Sequence, residues 1–141
     1  MKTICLIILI LLTFTGCQKT INHDGLIKIN EATLKFELAE SQVEKTQGLS
    51  NRNRLAKDEG MLFIYSEYSL HSFWMKGMLF PIDIIWLQDN LIIDITANVP
   101  IPTSTNLIIY KPNKPVNKIL EVNAGWVQTN NVKIGDSIEI N

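Results

Sequence analysis

Apolar and polar residues alternate through Ile27-Lys28-Ile29 and again through Leu34-Lys35-Phe36-Glu37-Leu38, the period of strands with one buried face, and Asn30-Glu31 between them predicts a hairpin. Ser41-Gln42-Val43-Glu44 has the spacing of a capping box, and Gly48 stands where a short helix would end on a left-handed residue. Asp58-Glu59-Gly60 reads as a turn. The continuous apolar run Met61-Leu62-Phe63-Ile64-Tyr65 after it predicts a strand covered on both faces. Ser72-Phe73-Trp74-Met75, Ile82-Asp83-Ile84-Ile85-Trp86-Leu87 and Leu91-Ile92-Ile93-Asp94-Ile95 are further β-rich runs. Gln88-Asp89-Asn90 makes the last two an antiparallel hairpin. Val99 to Pro115 carries four prolines, so it predicts a loop in which Leu107 to Tyr110 is a short strand kept off the sheet centre. Ile119 to Val122 and Ser137 to Ile140 complete the strands, with a helical turn over Ala124 to Thr129 and a turn at Gly135-Asp136. The sum is a mainly β, small single-domain barrel or sandwich of about eight or nine short strands with one short helix.

The first residues follow a different pattern. Met1-Lys2-Thr3 is a short positive start, Ile4 to Phe14 is an apolar run of 11 residues broken only by Thr13, and Thr15-Gly16-Cys17 closes it. This is the layout of a secretory signal, and it is too short for a membrane span of about 20 residues. The small-residue step before Cys17 resembles the bacterial lipoprotein signal, which implies a signal peptide over residues 1–16, a lipidated Cys17 and a tether over residues 17–25. Several acyl chains hold a protein on a membrane where one would be marginal. Gln18, rather than aspartate, after the cysteine resembles the outer-membrane sorting pattern, so the domain over residues 26–141 would face the periplasm. Removal of Cys5 and lipidation of Cys17 would leave no thiol for a disulfide, a nucleophile or a metal. His23, in the polar tether, is expected to be solvated. A net charge of −1 supplies no basic footprint, so no nucleic-acid partner is expected.

Four segments together resemble one family: Gln47-Gly48-Leu49-Ser50-Asn51-Arg52, Glu59-Gly60-Met61-Leu62-Phe63, the stretch from His71 through Phe73-Trp74-Met75-Lys76 to Pro81-Ile82-Asp83-Ile84-Ile85-Trp86, and Leu120-Glu121-Val122-Asn123-Ala124-Gly125 with Gly135-Asp136. They are similar to the bacterial and archaeal domain of unknown function 192, over about Ile27 to Ile140. The resemblance implies a compact mostly-β domain and brings no established activity, cofactor or catalytic set.

Asp83 lies within an apolar stretch, where a buried carboxylate must be paired, hydrogen-bonded to amides or placed at a pocket mouth. Lys76, Arg52, Arg54 and His71 are its candidate partners. As a general acid or base with His71 it would define an envelope enzyme. Lys76, on a predicted turn, reads as a salt-bridge partner or solvated tip before a nucleophile. Trp74, Trp86, Tyr65, Tyr110 and Trp126 could wall a sugar site or fill a core. Met61, Met75 and Met78 with His71 are soft ligands suited to copper(I), although Met75 and Met78 would face opposite ways on a continuous strand. No cofactor is implied. The expectation is a non-enzymatic binding or accessory module of the cell envelope, with Arg52, His71, Trp74, Lys76, Asp83 and Trp86 at one end of the barrel as its ligand site. The ligand would be a small molecule or an envelope protein.

Overall fold

The structure, a computed structural model, describes residues 23–103 and 107–141. The predicted leader, Cys17 and most of the tether lie outside the described residues. The chain runs through β1 (Gly25–Ile29), β2 (Ala32–Ala39), α1 (Gln42–Gln47), β3 (Glu59–Ser69), β4 (Phe73–Trp74), β5 (Ile82–Gln88), β6 (Leu91–Val99), β7 (Ile109–Tyr110), β8 (Val116–Asn123), α2 (Trp126–Thr129) and β9 (Ile138–Ile140). Seven strands form one sheet in the order β6-β5-β8-β3-β2-β1-β9, and β4 and β7 make a separate two-stranded ribbon. Among the described residues only β2 and β3 pair in parallel; α1 and the loop after it form the crossover between them. The sheet curls until its two ends meet: Leu91 bridges Ser137, and Ile138 N donates to Asn90 O at 2.8 Å. A mainly β domain of nine strands results, with two short helices among the described residues instead of one.

Alternation along the central strands decides what lies inside the curl and what lies outside. Leu62, Ile85, Leu87, Leu120 and Val122 join Ile27, Ile29, Phe36 and the α2 residues Trp126 and Val127 in an inner core. Their strand neighbours Met61, Phe63, Ile84, Trp86 and Ile119 face outward into a second core. That outer core is roofed by Leu49, Leu55 and the β4 region with Phe73, Met75 and Met78. The continuous apolar run of β3 is therefore buried on both faces over Met61 to Phe63, while Ile64 emerges to 37% exposure.

The hairpin turns form as the pattern predicts, with Asn30 and Asp89 in the left-handed region that short asparagine and aspartate side chains tolerate. The Ser41 capping box is present in full, with Ser41 Oγ accepting from Glu44 N and Glu44 Oε2 accepting from Ser41 N. Gly48 ends α1 at φ 51° and ψ −132°, a region open to glycine rather than the expected left-handed helical one. Asp24 differs from a free tether: its amide donates to Phe36 O and its Oδ2 accepts from Leu38 N, which ties the residue before β1 to β2. His23 is not simply solvated, since its Nε2 lies 2.8 Å from Glu59 Oε1. Gly60 belongs to β3 rather than to a turn. A Cβ there would stand 2.9 Å from Leu34 Cδ1 and 3.0 Å from the Glu121 carbonyl. Backbone on one side cannot yield, so Gly60→Ala is expected to lower stability by about 1–3 kcal/mol in urea unfolding.

Candidate functional site

Glu121 lies on β8 between Leu120 and Val122, which turn inward, so its own side chain faces the outer core. It is opposite Met61 of β3 and Ile84 of β5, and Met61 is opposite Glu37 of β2, which sets the two glutamates on one face with a strand between them. Arg52 from the loop after α1 clamps Glu37 through two nitrogens at 2.6 and 2.7 Å. Glu121 has no such partner. Its Oε2 is buried without a hydrogen bond among the described residues, and the whole residue is 5% exposed. Burial pushes its carboxyl up to about 8, against a smaller downward pull from the Arg52 charge, so at neutral pH it holds a proton.

A cleft of about 100 Å³ opens over this carboxyl, floored by Glu121 and Phe63, edged by α1 through Lys45 and Gly48, and closed on the far side by Phe73 and Trp74. Gly48 edges the cleft at a positive φ that strains any other residue, and a Cβ there would come into van der Waals contact with Glu121 Oε2 at 3.7 Å. Tyr65 forms the outer wall. Its ring stacks on His71 at 3.7 Å between centroids and carries the Lys45 ammonium 4.6 Å from its own centroid, while Lys45 also donates to the Ile64 carbonyl. Burial, and then the negative charge Glu121 acquires at high pH, raise the Tyr65 phenol above its ordinary value. Trp74, on β4 opposite Ile109 of β7, is 38% exposed at the mouth.

The family model DUF192, described as an uncharacterised ancient conserved region, matches residues 25–140. The chain belongs to this family. Two solved structures are similar to it. One is a candidate transcription regulator from Sinorhizobium meliloti 1021, 33% identical, with a TM-score of 0.73 over 82% of this chain and 92% of that one. The other is a protein of unknown function from Novosphingobium aromaticivorans DSM 12444, 28% identical, with a TM-score of 0.74 over 81% and 83% of the two chains. None of the curated proteins matches the chain.

In this DUF192 domain the six residues expected at one barrel end do not converge. Trp74 reaches the cleft, His71 reaches it through the Tyr65 ring, and Arg52 acts on it electrostatically. Trp86 is fully buried, edge-on to Phe73 with its Nε1 donating to Thr96 Oγ1 at 2.9 Å, so it is core rather than ligand wall. Lys76 is exposed on a turn beside the cleft and makes no ion pair among the described residues; only its carbonyl is used, by Ser50 Oγ. Asp83 faces inward, opposite Val122 in register, and accepts from Asn98 N at 2.7 Å and Val127 N at 3.0 Å. It thereby caps α2 from a neighbouring strand, and Lys76, Arg52, Arg54 and His71 are not its partners.

The pairing of His71 with Asp83 is overturned by this geometry, because a strand sends the two environments to opposite faces of the sheet. Met61, Met75 and Met78 all lie buried in the outer core, packed among aromatic and branched side chains as gap fillers. Met75 and Met78 share a side because β4 ends at Trp74 and a turn follows, with Met78 N donating to Met75 O. Glu121 and Lys45 were not singled out by the sequence reading. The signal for Glu121 was the one used for Asp83, a carboxylate flanked by apolar strand residues.

Proposed function

We propose that the chain is an exported envelope protein, anchored through lipid on Cys17, whose domain binds a small molecule in the cleft over Glu121 without transforming it. The observation that carries the binding reading is the Glu121 carboxyl oxygen, buried and unpartnered at the floor of an open cleft. Such a group costs free energy in the free protein, and a ligand that supplies its missing hydrogen bond recovers it. The leader pattern ending at Cys17 supports the anchor and the address. The description of the Sinorhizobium protein as a regulator finds no support here as DNA binding, given a net charge of −1.

The full-length protein in mild detergent is expected to gain stability in a thermal-shift screen of envelope sugars, peptidoglycan fragments and metabolites, by about 2.7 kcal/mol at a hundredfold excess over Kd. The gain should shrink to about 1.4–2 kcal/mol at the same ligand concentration with Trp74→Ala. A screen without a hit, or a hit indifferent to Trp74, removes the cleft as the binding site. Labelled palmitate should enter the wild-type chain and not Cys17→Ser; equal labelling of both removes the anchor.

A further inference from the structure

Resting on the binding reading above, we propose that the cleft takes a neutral, hydroxyl-bearing group, the edge of a sugar or polyol, with one hydroxyl on Glu121 and its carbon face against Trp74. Three features of the site select this class. The first is the floor. A protonated carboxyl offers one O–H donor and one C=O acceptor side by side, and a hydroxyl is the compact neutral group that answers both. Burial keeps Glu121 in that protonated form at neutral pH.

The second is the charge around the floor. A cationic ligand would require Glu121 to ionise, would meet the Lys45 ammonium in the cleft wall, and would feel the Arg52 charge nearby. An anionic ligand would find Arg52 occupied and Lys45 engaged in part: the terminal nitrogens of Arg52 clamp Glu37, and the Lys45 ammonium gives one N–H to the Ile64 carbonyl and lies over the Tyr65 face. Among the described residues the remaining N–H groups of Lys45 are then the one charged donor in the cleft wall that an anion could use, against the bidentate partner that a carboxylate or phosphate prefers. The third is size and shape. About 100 Å³ admits one edge of a ring rather than a whole sugar, and the half-exposed Trp74 indole at the mouth supplies an apolar face for the part that stays outside.

The test is saturation-transfer NMR titration of the full-length protein with glucose, N-acetylglucosamine and glycerol as hydroxyl probes, n-butylamine as a cation and butyrate as an anion, at pH 7 and pH 9. A hydroxyl probe is expected to bind at pH 7 and about tenfold more weakly at pH 9, where Glu121 has lost its proton. Glu121→Gln, which keeps a donor and an acceptor without the charge, should bind at both pH values with that loss abolished. Trp74→Ala should weaken binding at both by roughly threefold to tenfold. The groups able to imitate the pH effect are Lys45, His71 stacked on Tyr65, Tyr65 itself and the Arg52–Glu37 pair. All of them remain in Glu121→Gln, so a pH loss that persists in that variant overturns the assignment. Binding of butylamine that tightens toward pH 9, or of butyrate, with no hydroxyl probe bound, overturns the ligand class and leaves the cleft as a binding site. Silence from every probe here, with a Trp74-dependent hit in the thermal screen, does the same; silence in both ends the binding reading as well.

Discussion

Glu121→Gln is expected to stabilise the domain by several kcal/mol at pH 8 and to leave it within about 1 kcal/mol of wild type at pH 4. The reason is linkage. In the unfolded chain this carboxyl ionises near its ordinary value of 4.5, and in the fold burial holds it protonated to about 8. Below pH 4.5 both states carry the proton and the group contributes no pH dependence. Between 4.5 and 8 the unfolded chain releases a proton that the fold retains, so stability falls as pH rises, by about 1.4 kcal/mol per unit. Above 8 both states are ionised and the loss is complete. Glutamine has no proton to lose, and the gap between the two urea unfolding curves should therefore open with pH. A gap of constant size at pH 4, 6 and 8 would show that Glu121 titrates normally and that its burial is relieved by water or by movement of Arg52.

The second large effect is expected at Asp83. Asp83→Ala should cost about 3–5 kcal/mol, because it strips the acceptor from Val127 N inside the inner core and from Asn98 N at its edge. Helix α2 has no side-chain cap of its own, its N-cap being Gly125, so this carboxylate from β5 does the work of one. Asp83→Asn should lose roughly half as much, since its amide keeps one acceptor and presents a donor to the other N–H. The near-ultraviolet dichroism of Trp126, which sits on α2, gives a local readout of the same change. A cost below about 1 kcal/mol for Asp83→Ala would mean that α2 stays seated without its cap, and that the inner core alone holds this end of the curl.

These two carboxylates show where reading along the chain succeeded and where it stopped. Both sit in apolar strand stretches, Ile82-Asp83-Ile84 and Leu120-Glu121-Val122, and the cost of burying a lone charge flags both equally. Which is satisfied and which is not depends on what the chain brings back from far away. Asp83 meets amides 15 and 44 residues further on. Glu121 Oε2 lies near Gly48 at the end of α1 and finds no hydrogen-bond partner among the described residues. Arg52 had a carboxylate waiting at Glu37, in a better-exposed position, and so was not available to Asp83 or to Glu121.

The sequence by itself determined the local features: the hairpins at Asn30 and Asp89, the capping box at Ser41, the proline-rich stretch off the main sheet, and the mainly β class of the domain. Each depends on residues within a few positions of one another, where backbone sterics and a period of two suffice. Only the tertiary structure decided which faces of β3, β5 and β8 look into the curl and which into the outer core, since strands buried on both sides carry no alternation to read. That choice placed Asp83 inside as a cap, Trp86 in the core, and Glu121 at the floor of a cleft.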